Sequence, residues 1–215
     1  ATTLWGKELS FNNLVDADAA CELVKVFDKP ACAIIKHNNP CGAAVAEDIF
    51  TAFVKAQATD PISAFGGVFA LNRPIGLDLA KKINEGFVEV ILAPSYDADA
   101  LEELKKKKNV RLLAAEKLGE WQRKGEGGRE IKKIVGGMLL QDRDLSTETA
   151  QDGKIASVRK PTAEEMASLT FAWKISKHVR SNAIVLVSGT ETVGIGAGQM
   201  SRVDSVKLAV MKAQK

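Results

Sequence analysis

The sequence predicts an α/β domain, with helices layered on a mainly parallel sheet. Two observations carry that expectation. Runs such as Ala31-Cys32-Ala33-Ile34-Ile35 are short and uniformly apolar, which suits strands buried on both faces. Between such runs lie segments of about 10–15 residues whose apolar positions recur at helical spacing. Length agrees: 215 residues make one large or two small domains. A chain of this size buries about 70% of its unfolded surface, enough for a core without staples.

The elements follow in order. Asp16 to Phe27 reads as a helix, capped by Asp16 or Asp18, with Ala20, Leu23, Val24 and Phe27 on one face. Ala31 to Ile35 is the buried strand, and Asn38 to Gly42 a cluster of chain breakers. Glu47 to Ala58 is helical, with Ile49, Phe50, Phe53 and Val54 facing inward. Asp60-Pro61 opens a loop that closes at Gly66-Gly67. Val68 to Leu71 is a strand, Leu77 to Asn84 a helix, and Val88 to Leu92 a strand broken by Pro94. Asp97 to Lys107 is a helix and Val110 to Leu113 a strand. Gly119 to Gly128 is polar and glycine-rich, hence a loop. Ile131 to Val135 and Met138 to Gln141 form a hairpin around Gly136-Gly137.

Gln151 to Lys160 reads as a linker. Thr162 to Val179 is a long helix opened by a Thr162/Glu165 capping box. Ala183 to Val187 is a buried strand, turned by Ser188-Gly189-Thr190 into Val193 to Gly196. Ser201 and Asp204 start a last helix, with Val203, Val206 and Val210 inward. The expected organisation is a first unit over residues 1–150, then a linker and the start of a second, truncated unit over 151–215.

Composition excludes several classes. Lys+Arg minus Asp+Glu is 30 − 27 = +3, with 46% apolar and 27% charged residues, so the chain is neither disordered nor a basic nucleic-acid binder. Any anionic ligand must be met by a local cluster of charges. Aromatics at 6% leave no base-stacking platform. Cys21, Cys32 and Cys41 form an odd set without a CxxC pair, which fits a reducing compartment and not a disulfide scaffold. No apolar run approaches the roughly 18 residues of a membrane span. Ala1 to Leu4 lacks signal-peptide character, so the expected location is the cytoplasm. The chain begins without Met and stops inside a helical pattern at Lys215. It is therefore read as a piece of a longer polypeptide, with processing or a short native tail as alternatives.

Four clusters could carry chemistry. Lys36 and His37 stand where an apolar strand enters the breaker-rich Asn38-Asn39-Pro40-Cys41-Gly42. In open α/β sheets ligands bind beyond strand ends. A histidine can take a proton near neutrality, and an adjacent ammonium can stabilise developing negative charge. The plain alternative is a basic pair flanking a turn. Arg180-Ser181-Asn182 and the run Gly194-Ile195-Gly196-Ala197-Gly198-Gln199-Met200-Ser201-Arg202 form the second. Here the glycines allow either close ligand approach or a tight strand–helix connection, and Arg202 offers a fork for phosphate or carboxylate. The third is Asp60 to Gly67, a loop with a close-approach glycine pair. The fourth is Glu89, a carboxylate inside an apolar strand, which needs a partner: an amine, a sugar hydroxyl or water.

Zinc fits poorly: Pro40-Cys41 has no second cysteine after it, and His37 opens no H-x-E. Lys105 to Lys108 and His178 read as helix ends. Trp5, Trp121 and Trp173 read as packing or surface residues.

These clusters, with Gly6-Lys7-Glu8-Leu9-Ser10-Phe11-Asn12-Asn13-Leu14 before them, occur in an order that resembles the AICAR transformylase family, the formyltransferase part of bacterial bifunctional purine-biosynthesis proteins. The resemblance covers nearly the whole chain. It implies a three-layer α/β/α, cytidine deaminase-like fold with a mainly parallel or mixed sheet, duplicated in the full transformylase. It implies formyl transfer from 10-formyltetrahydrofolate, as cosubstrate, to the 5-amino group of AICAR, giving FAICAR. His37 matches the family's proton acceptor, Lys36 its transition-state stabiliser, and Asn182 a residue near the reacting centre. Gly66, Glu89 and Arg202 match further AICAR-site positions, and Val203 a folate-contacting one. Human-type members carry Asp where this chain has Glu89.

The family works without zinc, as a homodimer whose active sites use both subunits. Its R-Y-G-x-N-P-H-Q motif, its C-terminal folate-contacting Phe and phosphate-binding Arg, and the cyclohydrolase domain are absent from this sequence. The chain is thus expected to be weakly active or inactive alone. The competing readings are a non-catalytic AICAR-binding module built on Arg202 and Gly194 to Gly198, and a zinc deaminase-like enzyme.

Overall fold

The computed structural model describes residues 1–118 and 128–214. The loop expected from Gly119 and Trp121 within it lie outside the described residues, apart from Gly128 at its end. In chain order the elements are β1 (Thr2–Trp5), α1 (Phe11–Val24), β2 (Ala31–Lys36), β3 (Asn39–Val45), α2 (Ile49–Thr59), α3 (Pro61–Ala64), β4 (Gly67–Leu71), α4 (Leu77–Asn84), β5 (Val88–Ala93), α5 (Ala98–Lys105) and β6 (Arg111–Ala114). The hairpin β7 (Arg129–Ile134) and β8 (Gly137–Asp142) follows, then a 3₁₀ turn at Ala150–Asp152, α6 (Ala163–Ser176), β9 (Ile184–Ser188), β10 (Glu191–Gly196) and α7 (Arg202–Ala213).

Eight strands make one sheet in the order β1-β6-β5-β4-β2-β3-β10-β9, and β7 and β8 pair apart from it. The α/β class is as expected, and the sheet is of the mixed kind. Parallel pairing is confined to β4, β5 and β6, and every other pairing is antiparallel. The reason is local: β2–β3 and β9–β10 are joined by two-residue turns, which force antiparallel neighbours. Residues beyond 150 contribute β9 and β10 to this same sheet.

Period-2 alternation divides the core between the two faces. On β2, Ile34 packs with Phe53, Leu71, Ile91 and Leu104, the side of α2, α4 and α5. Its neighbour Ile35 packs with Leu23, Val90 and Ile175, the side of α1 and α6. The three α/β/α layers are therefore present.

Several local expectations are corrected. α1 begins at Phe11, ahead of Asp16, because Ser10 and Asn13 form the capping box, each side-chain oxygen accepting the other's backbone N–H at 3.1 Å. The breaker cluster holds a strand: His37 and Asn38 turn, and Pro40 to Gly42 lie in β3. Pro40 is accommodated where the β2–β3 register slips between Ile34 and Ile35. On α2 Ala52, Phe53, Ala56 and Thr59 are buried and Ile49 and Val54 pack at the edge of the core as expected, but Phe50 is 39% exposed. The loop after Asp60 contains the short helix α3, with Asp60 as N-cap and Pro61 at its first turn. The last helix also turns the other way. Ser205 and Ala209 face inward, and Val203, Val206 and Val210 are exposed.

Candidate active site

Lys36 and Asn39 form the last pair of the β2–β3 hairpin, and His37 and Asn38 make its turn. Both turn residues are left-handed, at φ 52° and 62°, the signature of a type I′ connection. The turn separates the two candidate groups. Lys36 Nζ reaches over the loop before β4 and donates to the carbonyl oxygens of Phe65 and Gly66, both at 2.8 Å. His37 is exposed at the tip. Asn38 N–H donates to Asp16 Oδ1 at 2.7 Å, so the aspartate expected to cap α1 instead anchors this turn.

The other clusters converge on the same sheet end. Gly66, at φ 66°, donates its N–H to Phe87 O at 2.8 Å. A Cβ there would lie 3.1 Å from Lys36 Nζ and from the Phe87 ring. Glu89 on β5 accepts from Asn13 Nδ2 of α1 at 2.9 Å, so its partner is a buried amide. Arg180 N–H donates to Asn39 Oδ1 at 3.0 Å, and Gly198 N–H to Arg180 O at 2.8 Å, which stitches the first cluster to the second. Asn182 spends both side-chain N–H groups on Gln199 O (2.9 Å) and Met200 O (3.1 Å), leaving its amide oxygen as the acceptor available to a ligand. Arg202 opens α7, exposed beside Val203.

Because the sheet is mixed, this end is not a uniform row of strand C-termini. The C-terminal ends of β2 and β10 meet the N-terminal ends of β3, β4, β5 and β9 there. The strand-end rule therefore locates the cluster only through β2 and β10.

A family model for the AICARFT/IMPCHase bienzyme matches residues 1–212. The chain belongs to this family. The bifunctional purine biosynthesis protein PurH of Anaeromyxobacter sp. (strain Fw109-5) is 51% identical over 218 residues, covering 100% of this chain and 42% of that protein. PurH of Magnetococcus marinus is 52% identical over 215 residues, covering 100% of this chain and 40% of that protein. The chain thus spans about two fifths of the length of these relatives.

Within this family segment the glycine run is used in two ways. A Cβ on Gly194 would fall 2.1 Å from Ala209 O, and one on Gly196 1.9 Å from Ser205 O. These two glycines let α7 lie against β10, so for them the strand–helix connection is the correct reading. Gly198, at φ 67°, stands in open space in the loop before Arg202. Close packing through small residues also explains why α7 buries Ser205 and Ala209 and leaves its valines outside.

Two elements of the site escaped the sequence. Asp60 is buried; its carboxylate caps α3 by accepting from Ser63 N–H (3.1 Å) and Ser63 Oγ (2.7 Å). Lys212 Nζ lies 2.9 Å from Asp60 Oδ2. Burial pushes the Asp60 carboxyl upward, but Lys212 and the two Ser63 donors outweigh it and hold it below the usual carboxylate range. Next to this pair, Thr59 Oγ1 meets Thr192 O at 2.7 Å, and the Thr192 hydroxyl bridges Ala43 N and O at 2.9 and 3.0 Å. Asp60-Pro61 is a legible cap signal, but no local pattern announces Lys212 or Thr192, more than 130 residues away.

Cys41 turns its sulfur inward to Ile34 O at 3.5 Å, and burial, reinforced by the Asp60 charge, pushes its thiol to about 12. Among the described residues no cluster of three His, Cys, Asp or Glu side chains could hold a metal ion, and no helix is long and apolar enough to cross a membrane. The arrangement offers an exposed imidazole, a pinned ammonium and an arginine around one open sheet end.

Proposed function

We propose that this chain carries part of the transformylase site, transferring the formyl group of 10-formyltetrahydrofolate to the 5-amino group of AICAR to give FAICAR. That amine is conjugated to an imidazole carboxamide and is a weak nucleophile, so a proton must leave as it attacks. His37 accepts that proton. Attack on the formyl carbon builds negative charge on its oxygen, which the Lys36 ammonium stabilises. Two of the three Lys36 N–H bonds are committed to Phe65 and Gly66, and the third is available to the reacting oxygen. Collapse of the adduct expels the folate N10, which takes up a proton, and leaves the formamide on AICAR.

Gly66, Glu89, Asn182 and Arg202 line the AICAR site in this reading, and Val203 the folate side. The protein acts in the cytoplasm as a homodimer, with the folate as a cosubstrate and no resident metal. The observation that carries the reading is the convergence of the Lys36–His37 turn, Gly66, Glu89, Asn182 and the Gly198–Arg202 loop on one sheet end.

The test uses the full-length bifunctional protein. Lys36→Ala and His37→Ala should each lower formyl transfer by about 10²–10⁴-fold and leave IMP cyclohydrolase activity unchanged. Undiminished transfer in either variant sinks the role assigned to that residue. The purified 215-residue chain should show weak or no transfer, and robust turnover would overturn that expectation.

A further inference from the structure

Lys36 owes its position to two backbone carbonyls, and those carbonyls have their own support. Phe65 and Gly66 follow α3, a helix of only four residues. So short a helix has no stability of its own, so its cap decides whether it forms. That cap is Asp60, which binds Ser63 twice and closes the turn through its own carbonyl to Ala64 N–H at 2.9 Å. Asp60 is in turn held by Lys212, from the last turn of α7. On the far side, Gly66 N–H is fixed to Phe87 O, so the Phe65–Gly66 segment is held between α3 and the start of β5, and α3 supplies one of its two supports.

We infer that Lys212 and Asp60 form a positioning pair which, through α3, fixes the carbonyl cradle of the Lys36 ammonium. The pair touches no reacting atom. It links the last helix of the chain to the group that, on the reading above, meets the developing oxyanion, and so it rests on that reading for its catalytic consequence. Its structural consequence stands apart from it.

The test therefore has two arms. In the 215-residue chain, trace acetylation read by mass spectrometry compares the labelling rate of Lys36 with that of exposed Lys207. Lys212→Met should raise the Lys36 rate several-fold, and Lys212→Arg should keep it at the wild-type value. Lys212→Met strands a buried carboxylate and can fail to fold. The double variant Asp60→Asn/Lys212→Met removes both charges and should give the same rise. In the full-length bifunctional protein, the same variants should lower the formyl-transfer kcat about tenfold with little change in KM for AICAR, and Lys212→Arg should rescue it. An unchanged Lys36 labelling rate in a folded Lys212→Met or double variant overturns the positioning pair. If labelling rises but transfer is indifferent to Lys36→Ala, the pair stands and the formyl-transfer role of Lys36 falls.

Discussion

The hairpins β2–β3 and β7–β8 close on turns of the same length and live in opposite surroundings. Ala31 to Ile35 of β2 are all nearly inaccessible, while every residue of β7 and β8 is exposed. The turns differ as sharply. The exposed hairpin places Gly136 at φ 82°, where glycine is at no disadvantage. The buried one places His37 and Asn38 in the left-handed region, which costs an L-residue about 1 kcal/mol or more. That geometry persists because its flanks are over-determined. Asp16 holds Asn38, the Arg180 backbone holds Asn39, and the ladder on either side is buried. The chain thus accepts strain at the tip where His37, the proton acceptor of the proposed reaction, stands, and uses glycine in the exposed turn, to which that proposal assigns no role.

The largest expected contrast concerns burial. Ile34→Ala removes a side chain with no exposed surface and should cost about 2–5 kcal/mol. Ile131→Ala on β7, 64% exposed in the native chain, should stay within about 0.5 kcal/mol. Urea denaturation midpoints of the two variants decide the matter. Similar losses would mean that the β7–β8 hairpin is buried in solution and that the contrast is false.

The turns give a smaller and more telling pair. His37→Gly should raise stability by about 0.5 kcal/mol, since glycine adopts φ 52° freely but loses more entropy on folding. The same change should abolish formyl transfer by the full-length protein. Gly136→Ala should lower stability by about 1 kcal/mol, all of it conformational, because a Cβ there meets nothing within 4 Å. A His37→Gly variant that is both less stable and fully active would remove the argument that strain was accepted for function.

Much of this was legible in the sequence where the signal is local. The strands of β2, β4, β5 and β6, the hairpin around Gly136 and the Thr162/Glu165 capping box are where periodicity and turn chemistry put them. Most of the failures depend on contacts made at a distance; the start of α1 is the exception, set by the local Ser10–Asn13 capping box. Asp16 looked like a helix cap, but the Ser10–Asn13 pair competes better and frees it for the turn at Asn38. Val203, Val206 and Val210 have the spacing of an inner face, yet α7 packs by Ser205 and Ala209 because Gly194 and Gly196 let it approach β10. The candidate residues themselves were readable as motifs. Their assembly was not, since Asn39 meets Arg180 and Asp60 meets Lys212 only after the sheet has formed.

The smallest effect separates the two hairpins by charge. The floor of the buried one lies against Asp60, whose carboxyl titrates below its ordinary 3.8 because Lys212 and Ser63 favour the ionised form more than burial opposes it. That preference stabilises the fold in full above the unfolded value and is lost as pH falls through the lower folded value. Asp60→Asn should therefore be less stable than the wild type at pH 7, and the difference should shrink as pH falls below about 4. Urea midpoints measured from pH 7 to pH 2 read this directly. A constant gap would mean that Asp60 contributes through shape alone, as a cap on α3, and that its charge pairing with Lys212 adds nothing to stability.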